Sequence, residues 1–223
     1  ILCLHEGGET AEMFKEQIKD IASELENHYK LYFPLAQENG NKWVIDSPTN
    51  IDYIPKSLSY LDEYISYHGP FMGILGYSEG SMFASYYLST NPSNVFSWAA
   101  LFNGYLPTNH QGLLDSINNI NPIDIKVLVY TEINDINYSL TLLQAEEISN
   151  NYISYTGDSY LTKIESLESN DSLIKKENNK FEDVINWIKG VDMYYNINYI
   201  GSDIEYYNNI ITSVSIILND IFK

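Results

Sequence analysis

The residues of this chain whose types and spacing could do chemistry are Gly-Tyr-Ser-Glu-Gly at positions 76–80. An apolar run, 71–75, precedes them, and a segment with helical character, 81–89, follows them. A serine between two glycines, at a sharp turn from a strand to a helix, is typical of a nucleophile held at the end of a sheet, and this turn is called the elbow here. Glycine leaves room beside the serine and tolerates the strained backbone of a tight turn. The pattern therefore predicts that Ser78 is a nucleophile.

Two backbone N–H groups are predicted to stabilise the oxyanion that an attack by Ser78 would create. The segment Leu-His-Glu-Gly-Gly at 4–8 follows the first apolar strand and resembles the His-Gly loop that supplies one donor in α/β-hydrolases. The residue after the nucleophile supplies the other donor. We therefore predict that the amides of Gly7 and Glu79 are the oxyanion donors. His5 is interpreted as a loop histidine that bonds backbone groups.

A carboxylate that could orient a catalytic base follows a later apolar strand, 125–130. In α/β-hydrolases the triad residues come in the chain order Ser, Asp or Glu, then His. Asp135 stands where such an acid would leave the end of this strand, and Glu132 is the fallback. The competing interpretation is that Asp135 is a surface aspartate in a turn, which is common in so acidic a chain.

The histidine of such a triad is missing from its expected place. The chain has four histidines: His5, His28, His68 and His110. None follows Asp135, and the expected loop between a predicted strand at 160–166 and a predicted helix at 178–188 contains no good base at neutral pH. His110 follows the apolar run 97–102 and is the alternative base. The stronger interpretation of His110 is a solvated histidine in a loop.

The elements that must position these residues alternate between short apolar strands and amphipathic helices. Strands are predicted at 1–4, 30–33, 71–75, 97–102, 125–130 and 160–166, and helices at 10–26, 56–67, 81–89, 140–149 and 178–188. This order indicates an α/β fold with a mostly parallel central sheet and helices on both faces. In such sheets the active site lies at the carboxyl ends of the strands, where Ser78 falls.

The chain after residue 190 is predicted to be a helical extension of this domain. Apolar residues in 204–221 repeat at helical spacing. We therefore predict two regions, a hydrolase-like domain at 1–190 and a C-terminal helical extension at 191–223. The extension is interpreted as an extra helix packed on the same domain. The alternative is a docking helix for a protein partner.

The charge of the chain argues against several partners. Its 223 residues carry a net charge of −18, with 12 lysines and no arginine. Nucleic acids and anionic membranes are therefore excluded as partners, because both need a basic surface. The apolar fraction of 44% is that of an ordinary globular protein, large enough for one full core.

Cysteine content and hydropathy predict a cytoplasmic location. Cys3 is the single cysteine, so no internal disulfide can form, and it is predicted to be a small core residue. The sequence shows no apolar run long enough to span a membrane and no signal-peptide pattern. It begins at Ile1 rather than methionine, which leaves a truncated start open.

Several stretches together resemble the FSH-type serine hydrolases, a family of α/β-hydrolases. The matching stretches are Ile-Leu-Cys-Leu-His-Glu-Gly-Gly at 1–8, Ser-Tyr-Leu-Asp-Glu-Tyr-Ile at 59–65, His-Gly-Pro-Phe through the elbow at 68–80, and Asn-Gly-Tyr-Leu-Pro at 103–107. The match covers residues 1–190. The resemblance implies esterase or thioesterase chemistry on small acyl substrates, with no cofactor and no metal. It also removes His68 from the catalytic candidates.

Three departures from the family pattern bear on catalysis. The family's final Gly-Gly-His aligns with 170–172, so Ser172 takes the place of the histidine. Glu6 stands where the family usually has Gly, and Glu79 where it usually has Gln, and carboxylates beside an oxyanion hole oppose its negative charge. Losing a triad histidine costs about 10⁴ to 10⁶ in turnover in serine proteases. The chain is therefore predicted to have the fold of a hydrolase with weak or absent activity.

Three functions stay open at this point. The first is a weakly active or inactive pseudo-hydrolase with a binding or structural function, favoured by the missing histidine. The second is an active carboxylic-ester or thioester hydrolase that uses Ser78 with an unusual base. The third is a module that binds a small acyl ligand in the former catalytic pocket.

Overall fold

A single parallel sheet carries the candidate residues. The computed structural model describes residues 1–45, 55–91, 96–107, 110–118, 125–132, 152–157 and 184–190. Within these ranges the strands are β1 Leu2–Leu4, β2 Gly73–Tyr77, β3 Trp98–Phe102, β4 Lys126–Glu132 and β5 Tyr152–Gly157. They lie in the order β1-β2-β3-β4-β5, and every neighbouring pair is parallel. The predicted parallel sheet is therefore confirmed.

Helices connect the strands, as the alternation of patterns predicts. The helices that the structure describes in full are α1 Ala11–Gln17, α2 Lys19–Leu25, α3 Pro55–His68, α4 Glu79–Thr90 and α5 Gln111–Asn118. These elements belong to one compact unit, Ile1–Lys180. A second unit, Phe181–Lys223, is described only over 184–190, which are helical. The whole of the predicted extension at 191–223 therefore lies outside the described residues.

Two local predictions need correction. The helix predicted at 10–26 is two helices that meet at Ile18, whose backbone (φ −98°, ψ 17°) leaves the helical region while its side chain stays buried. The strand predicted at 30–33 is reduced to one bridge, in which Cys3 N donates to Tyr32 O (2.8 Å) and Tyr32 N to Ile1 O (3.0 Å). Pro34 has no N–H with which to continue that pairing.

The carboxyl-terminal part of the sheet differs from its prediction as well. β5 was not predicted, although Tyr, Ile and Thr in Tyr152–Gly157 favour strands. The strand predicted at 160–166 and the helix predicted at 140–149 lie outside the described residues. The described part of the helix predicted at 178–188 is the helical segment 184–190.

Helix α4, which begins immediately after the elbow, is buried on all sides. Every residue from Glu79 to Ser89 is buried, as is typical of a helix packed in a core rather than on a surface. Two of its serines are compatible with that burial because they bond to carbonyls of the helix itself: Ser85 Oγ donates to Ser81 O (2.9 Å) and Ser89 Oγ to Tyr86 O (2.9 Å). The elbow is therefore anchored on a fixed helix.

Cys3 lies in the middle of β1 and is completely buried, which confirms its prediction as a core residue. Burial raises the pKa of the Cys3 thiol to about 12. The thiolate is the reactive form, so its fraction at mildly alkaline pH is about a thousand-fold lower than that of an exposed cysteine.

We therefore expect native Cys3 to be alkylated by iodoacetamide at least about 10³ times more slowly than the same residue in guanidinium chloride. The measurement is the mass of the protein over time in both conditions. Fast alkylation of protein whose tryptophan fluorescence is still native would contradict the buried position.

Among the residues that the structure describes, no helix combines the length and the apolar character that crossing a membrane requires.

Candidate active site

Ser78 occupies the turn between β2 and α4 in a conformation that serine rarely adopts. Its φ of 52° and ψ of −115° lie outside the regions that L-residues favour, at a cost of about 1 to 3 kcal/mol. Neighbouring hydrogen bonds hold it there: Ser78 N donates to Phe102 O of β3 (2.9 Å), and Met82 N donates to Ser78 O (3.1 Å). The sequence Gly-Tyr-Ser-Glu-Gly therefore forms the predicted elbow, with Ser78 at the carboxyl end of the sheet.

The two glycines of the elbow are required by close approach of other main-chain atoms. A Cβ on Gly80 would meet the carbonyl oxygens of Leu4 and His5, the latter at 2.5 Å. A Cβ on Gly76 would lie 2.6 Å from the Cα of Ser81. Because these atoms belong to backbone, they cannot move aside alone. The glycines thus let the start of α4 press against the ends of β1 and β2.

His5 is a structural residue of the loop that follows β1, as predicted. Its side chain is fully buried, and Nε2 accepts a hydrogen bond from Ala36 N (3.0 Å). The proton therefore resides on Nδ1, which donates to Glu6 O (2.6 Å). Burial lowers the pKa of the His5 ring, against a smaller opposing effect of the bond to Glu6 O. A neutral ring with both nitrogens engaged cannot serve as a base.

Residues 35–44, here called the buckle loop, form hydrogen bonds both with the loop that follows β1 and with the start of α3. Gly8 N donates to Asn41 O (3.0 Å), and the Nε1 of Trp43 donates to His5 O (2.8 Å). At its other end, the buried carboxylate of Glu38 accepts hydrogen bonds from Lys56 N (3.1 Å) and Ser57 N (3.3 Å) at the start of α3. The sequence patterns predict neither a strand nor a helix here.

Glu79, the residue after Ser78, has its carboxylate against Gly7 of the His-Gly loop. It is 8% exposed, and Oε1 accepts a hydrogen bond from Trp43 N (2.6 Å). A Cβ on Gly7 would lie 2.6 Å from Glu79 Cδ, so the two predicted oxyanion-donor residues are in direct contact. The lone tryptophan in a polar loop was the one sequence signal that could have revealed this partner.

The hydroxyl of Ser78 has a carboxylate partner that the sequence patterns did not identify. Ser78 Oγ donates a hydrogen bond of 3.3 Å to Oε1 of Glu6. Both side chains are half-buried. The structure therefore brings Ser78, Glu6, Gly7 and Glu79 together at one end of the sheet. Glu6 was predicted only as a charge beside the oxyanion hole.

The remaining candidates are His110, Glu132, Asp135 and Ser172. His110 precedes α5, where its N donates to Pro107 O (2.8 Å) and its O accepts from Leu114 N (3.0 Å). Asp135 and Ser172 lie outside the described residues. Glu132, the fallback acid, is the last residue of β4. In the described ranges, no group of three or more His, Cys, Asp or Glu is arranged to hold a metal ion.

Comparison with known proteins identifies the same region of the chain. The family described as serine hydrolase (FSH1) matches residues 1–136. Two curated relatives are Esterase FUS5 of Gibberella fujikuroi and of Gibberella moniliformis, which are 25% and 28% identical over 123 residues. The alignments cover 46% of this chain and 53% of each relative, so the chain spans about half the length of the curated relatives it matches.

Solved structures support the fold. Arabidopsis thaliana SOBER1 superposes with a TM-score of 0.57 at 14% identity, over 85% of this chain and 97% of that chain. YahD, whose structure contains malic acid, superposes with a TM-score of 0.54 at 15% identity, over 85% of this chain and 92% of that chain. At these identities the likeness shows the fold alone, and the predicted α/β-hydrolase architecture is confirmed.

Proposed function

This chain belongs to the serine hydrolase (FSH1) family, and from that premise we propose that it is a weakly active pseudo-hydrolase, which binds a carboxylic ester or thioester at Ser78 and turns it over slowly. One observation carries the proposal. The strained elbow holds Ser78 as a nucleophile, but its hydroxyl donates to the carboxylate of Glu6 at 3.3 Å.

Slow turnover follows from the charges around the elbow. An acyl-transfer oxyanion would form near Gly7 and the amide of Glu79, where the carboxylate of Glu79 already lies. Negative charge at this point raises the energy of the oxyanion. The chain also has no histidine after Asp135 to take the proton of the serine in the usual triad order.

The same proposal covers ligand, partner and location. The ligand is a small acyl compound, and no cofactor is required for acyl transfer from a serine. With a net charge of −18, the protein is proposed to act away from nucleic acids and membranes. Its single buried cysteine suits the cytoplasm. We assign residues 191–223 as a helical extension, with a protein partner as its alternative function.

A second candidate, an active ester or thioester hydrolase with His110 as an unusual base, is favoured by the retained strain at Ser78. A backbone held about 1 to 3 kcal/mol above its relaxed state is a common feature of working sites. Under this alternative, the strain persists because Ser78 still needs an exposed, oriented hydroxyl.

Labelling with a fluorophosphonate probe tests the proposal. We expect the probe to label Ser78 at a rate at least about 10³ times below that of an active serine esterase, because the hydroxyl lacks a strong base. Peptide mass spectrometry after trypsin digestion would locate the adduct. Ser78→Ala should abolish it. Ser59→Ala, which removes an exposed serine of α3, is the matched control and should label like the wild type.

The outcome separates the candidates. Labelling as fast as the active esterase would refute weak activity and support the His110 alternative, to be checked with His110→Ala. No labelling of Ser78 at all would refute the proposed slow turnover. Faster labelling of a Ser172→His variant would support a triad disabled at that position.

A further inference from the structure

Glu6 is the side chain that the structure places against the nucleophile. Its Oε1 lies 3.3 Å from Ser78 Oγ, although the two residues are 72 positions apart in the chain. This distance is longer than an ideal O–H···O bond, but catalytic hydrogen bonds are often loose before substrate binds and tighten in the complex. The geometry thus places a proton acceptor at the reacting hydroxyl.

The backbone of Glu6 is held so that its side chain stays in reach. Glu6 O accepts hydrogen bonds from Nδ1 of His5 (2.6 Å) and from Glu9 N (3.2 Å). His5 is itself fixed through Ala36 N. These bonds fix the main chain from which the Glu6 side chain reaches Ser78.

Two other ionisable groups of this region, His5 and Glu79, are committed to structural contacts. Both ring nitrogens of His5 are engaged, and the buried Glu79 carboxylate accepts from Trp43 N at 2.6 Å. In the part of the chain that the structure describes, the hydrogen bond of the Ser78 hydroxyl runs to Glu6. Glu6 is therefore the group best placed to remove its proton.

We propose that Glu6 is the general base that activates Ser78, an inference that rests on the proposed slow hydrolase activity. Oε1 of Glu6 takes the hydroxyl proton while Ser78 Oγ forms a bond to the acyl carbon, and the carbonyl π electrons move onto oxygen. As this oxyanion collapses, the bond to the leaving alcohol or thiol breaks, and that group takes the proton from Glu6. Water then attacks the acyl-serine by the same route, and the proton returns to Ser78 Oγ as the acid leaves.

A carboxylate base is compatible with this acidic site because proton transfer neutralises the carboxylate. Before attack the negative charge is on Glu6, and when the proton is transferred the charge passes to the oxyanion. The carboxylate therefore loses its charge at the moment when that charge would repel the oxyanion. A carboxylate is a weaker base than imidazole at neutral pH, so we place its contribution at the lower end of the usual range, about 10²-fold.

The test uses hydrolysis of p-nitrophenyl acetate and fluorophosphonate labelling in parallel. Glu6→Gln keeps the size of the side chain but is no base, and it should lower kcat about 10²-fold. Glu12→Gln makes the same chemical change on an exposed face of α1 and should leave kcat unchanged. Circular dichroism should show that both variants are folded.

Chemical rescue separates a base from a merely structural residue. Glu6→Gly removes the carboxylate and leaves space beside Ser78. Added formate should therefore raise the kcat of this variant at least about tenfold over its value without formate. Formate should not accelerate the wild type or Glu12→Gln. A Glu6→Gly variant that is folded and slow but insensitive to formate would overturn the proposal.

The remaining outcomes are also distinct. If Glu6→Gln hydrolyses the ester as fast as the wild type or faster, then Glu6 is not the base, and a faster rate would make it an inhibitory charge. If the wild type neither hydrolyses the ester nor reacts with the fluorophosphonate, the proposed function itself fails. Wild-type labelling combined with unchanged labelling of Glu6→Gln refutes only the assignment of Glu6.

Discussion

Replacing Gly80 with alanine is expected to lower the free energy of unfolding by about 3 kcal/mol or more. The new methyl group would overlap the carbonyl oxygens of Leu4 and His5, the second at 2.5 Å. These oxygens belong to the end of β1 and to the loop that positions Glu6, so relief requires either β1 or α4 to move. Urea denaturation followed by tryptophan fluorescence measures the loss, and the variant should also lose fluorophosphonate labelling of Ser78.

Gly190→Ala is the matched control for this substitution. Gly190 ends the helical segment 184–190, and a Cβ built there meets nothing within 4 Å. Alanine in a helix is favoured over glycine by up to about 1 kcal/mol, so this variant should be as stable as the wild type or slightly more stable. A cost below about 1 kcal/mol for Gly80→Ala would show that the elbow is not packed as described.

Trp43→Ala is the second substitution with a large expected effect, a loss of about 3 to 5 kcal/mol in the free energy of unfolding. The Trp43 ring is completely buried, stacks on Phe83 of α4 with centroids 5.2 Å apart, and packs on His5 at 5.1 Å. Its Nε1 also donates to His5 O (2.8 Å). Truncation removes the packing and leaves that buried carbonyl without its indole donor. Urea denaturation again measures the effect.

Trp43→Phe separates packing from hydrogen bonding. Phenylalanine retains an aromatic ring against Phe83 and loses the indole N–H, so the cost should fall to about 1 to 3 kcal/mol. The bond from Trp43 N to Glu79 comes from the main chain and is open to both variants. Equal costs for Trp43→Ala and Trp43→Phe would contradict the importance of the ring contacts.

The parts of the site that sequence patterns predicted correctly are those set by neighbouring residues. Strand, turn and helix around Ser78 follow each other directly, and two glycines four positions apart mark the turn. The structural nature of His5 and the burial of Cys3 also followed from their place beside an apolar strand. Such features depend on local sterics and on burial. Both can be inferred directly from the residue types and their order in the chain.

The parts that were missed depend on residues far apart in the chain. The bond from Trp43 N to Glu79 joins positions 36 apart, and that from Ser78 to Glu6 joins positions 72 apart. Nothing in the spacing of either pair indicates contact, because the sheet and the buckle loop create it. Glu6 was therefore predicted as a repelling charge, because its hydrogen bond to Ser78 depends on the pairing of β1 with β2.

The buckle loop links reactivity to folding. Its hydrogen bonds reach His5, Gly8 and Glu79 at the site, and the backbone of α3 on the other side. Detaching the loop would remove the hydrogen bond to the start of α3 and those to the residues around Ser78 at the same time. The site and the fold should therefore melt together, so that the reaction of Ser78 with a probe reports the fraction of molecules that are folded.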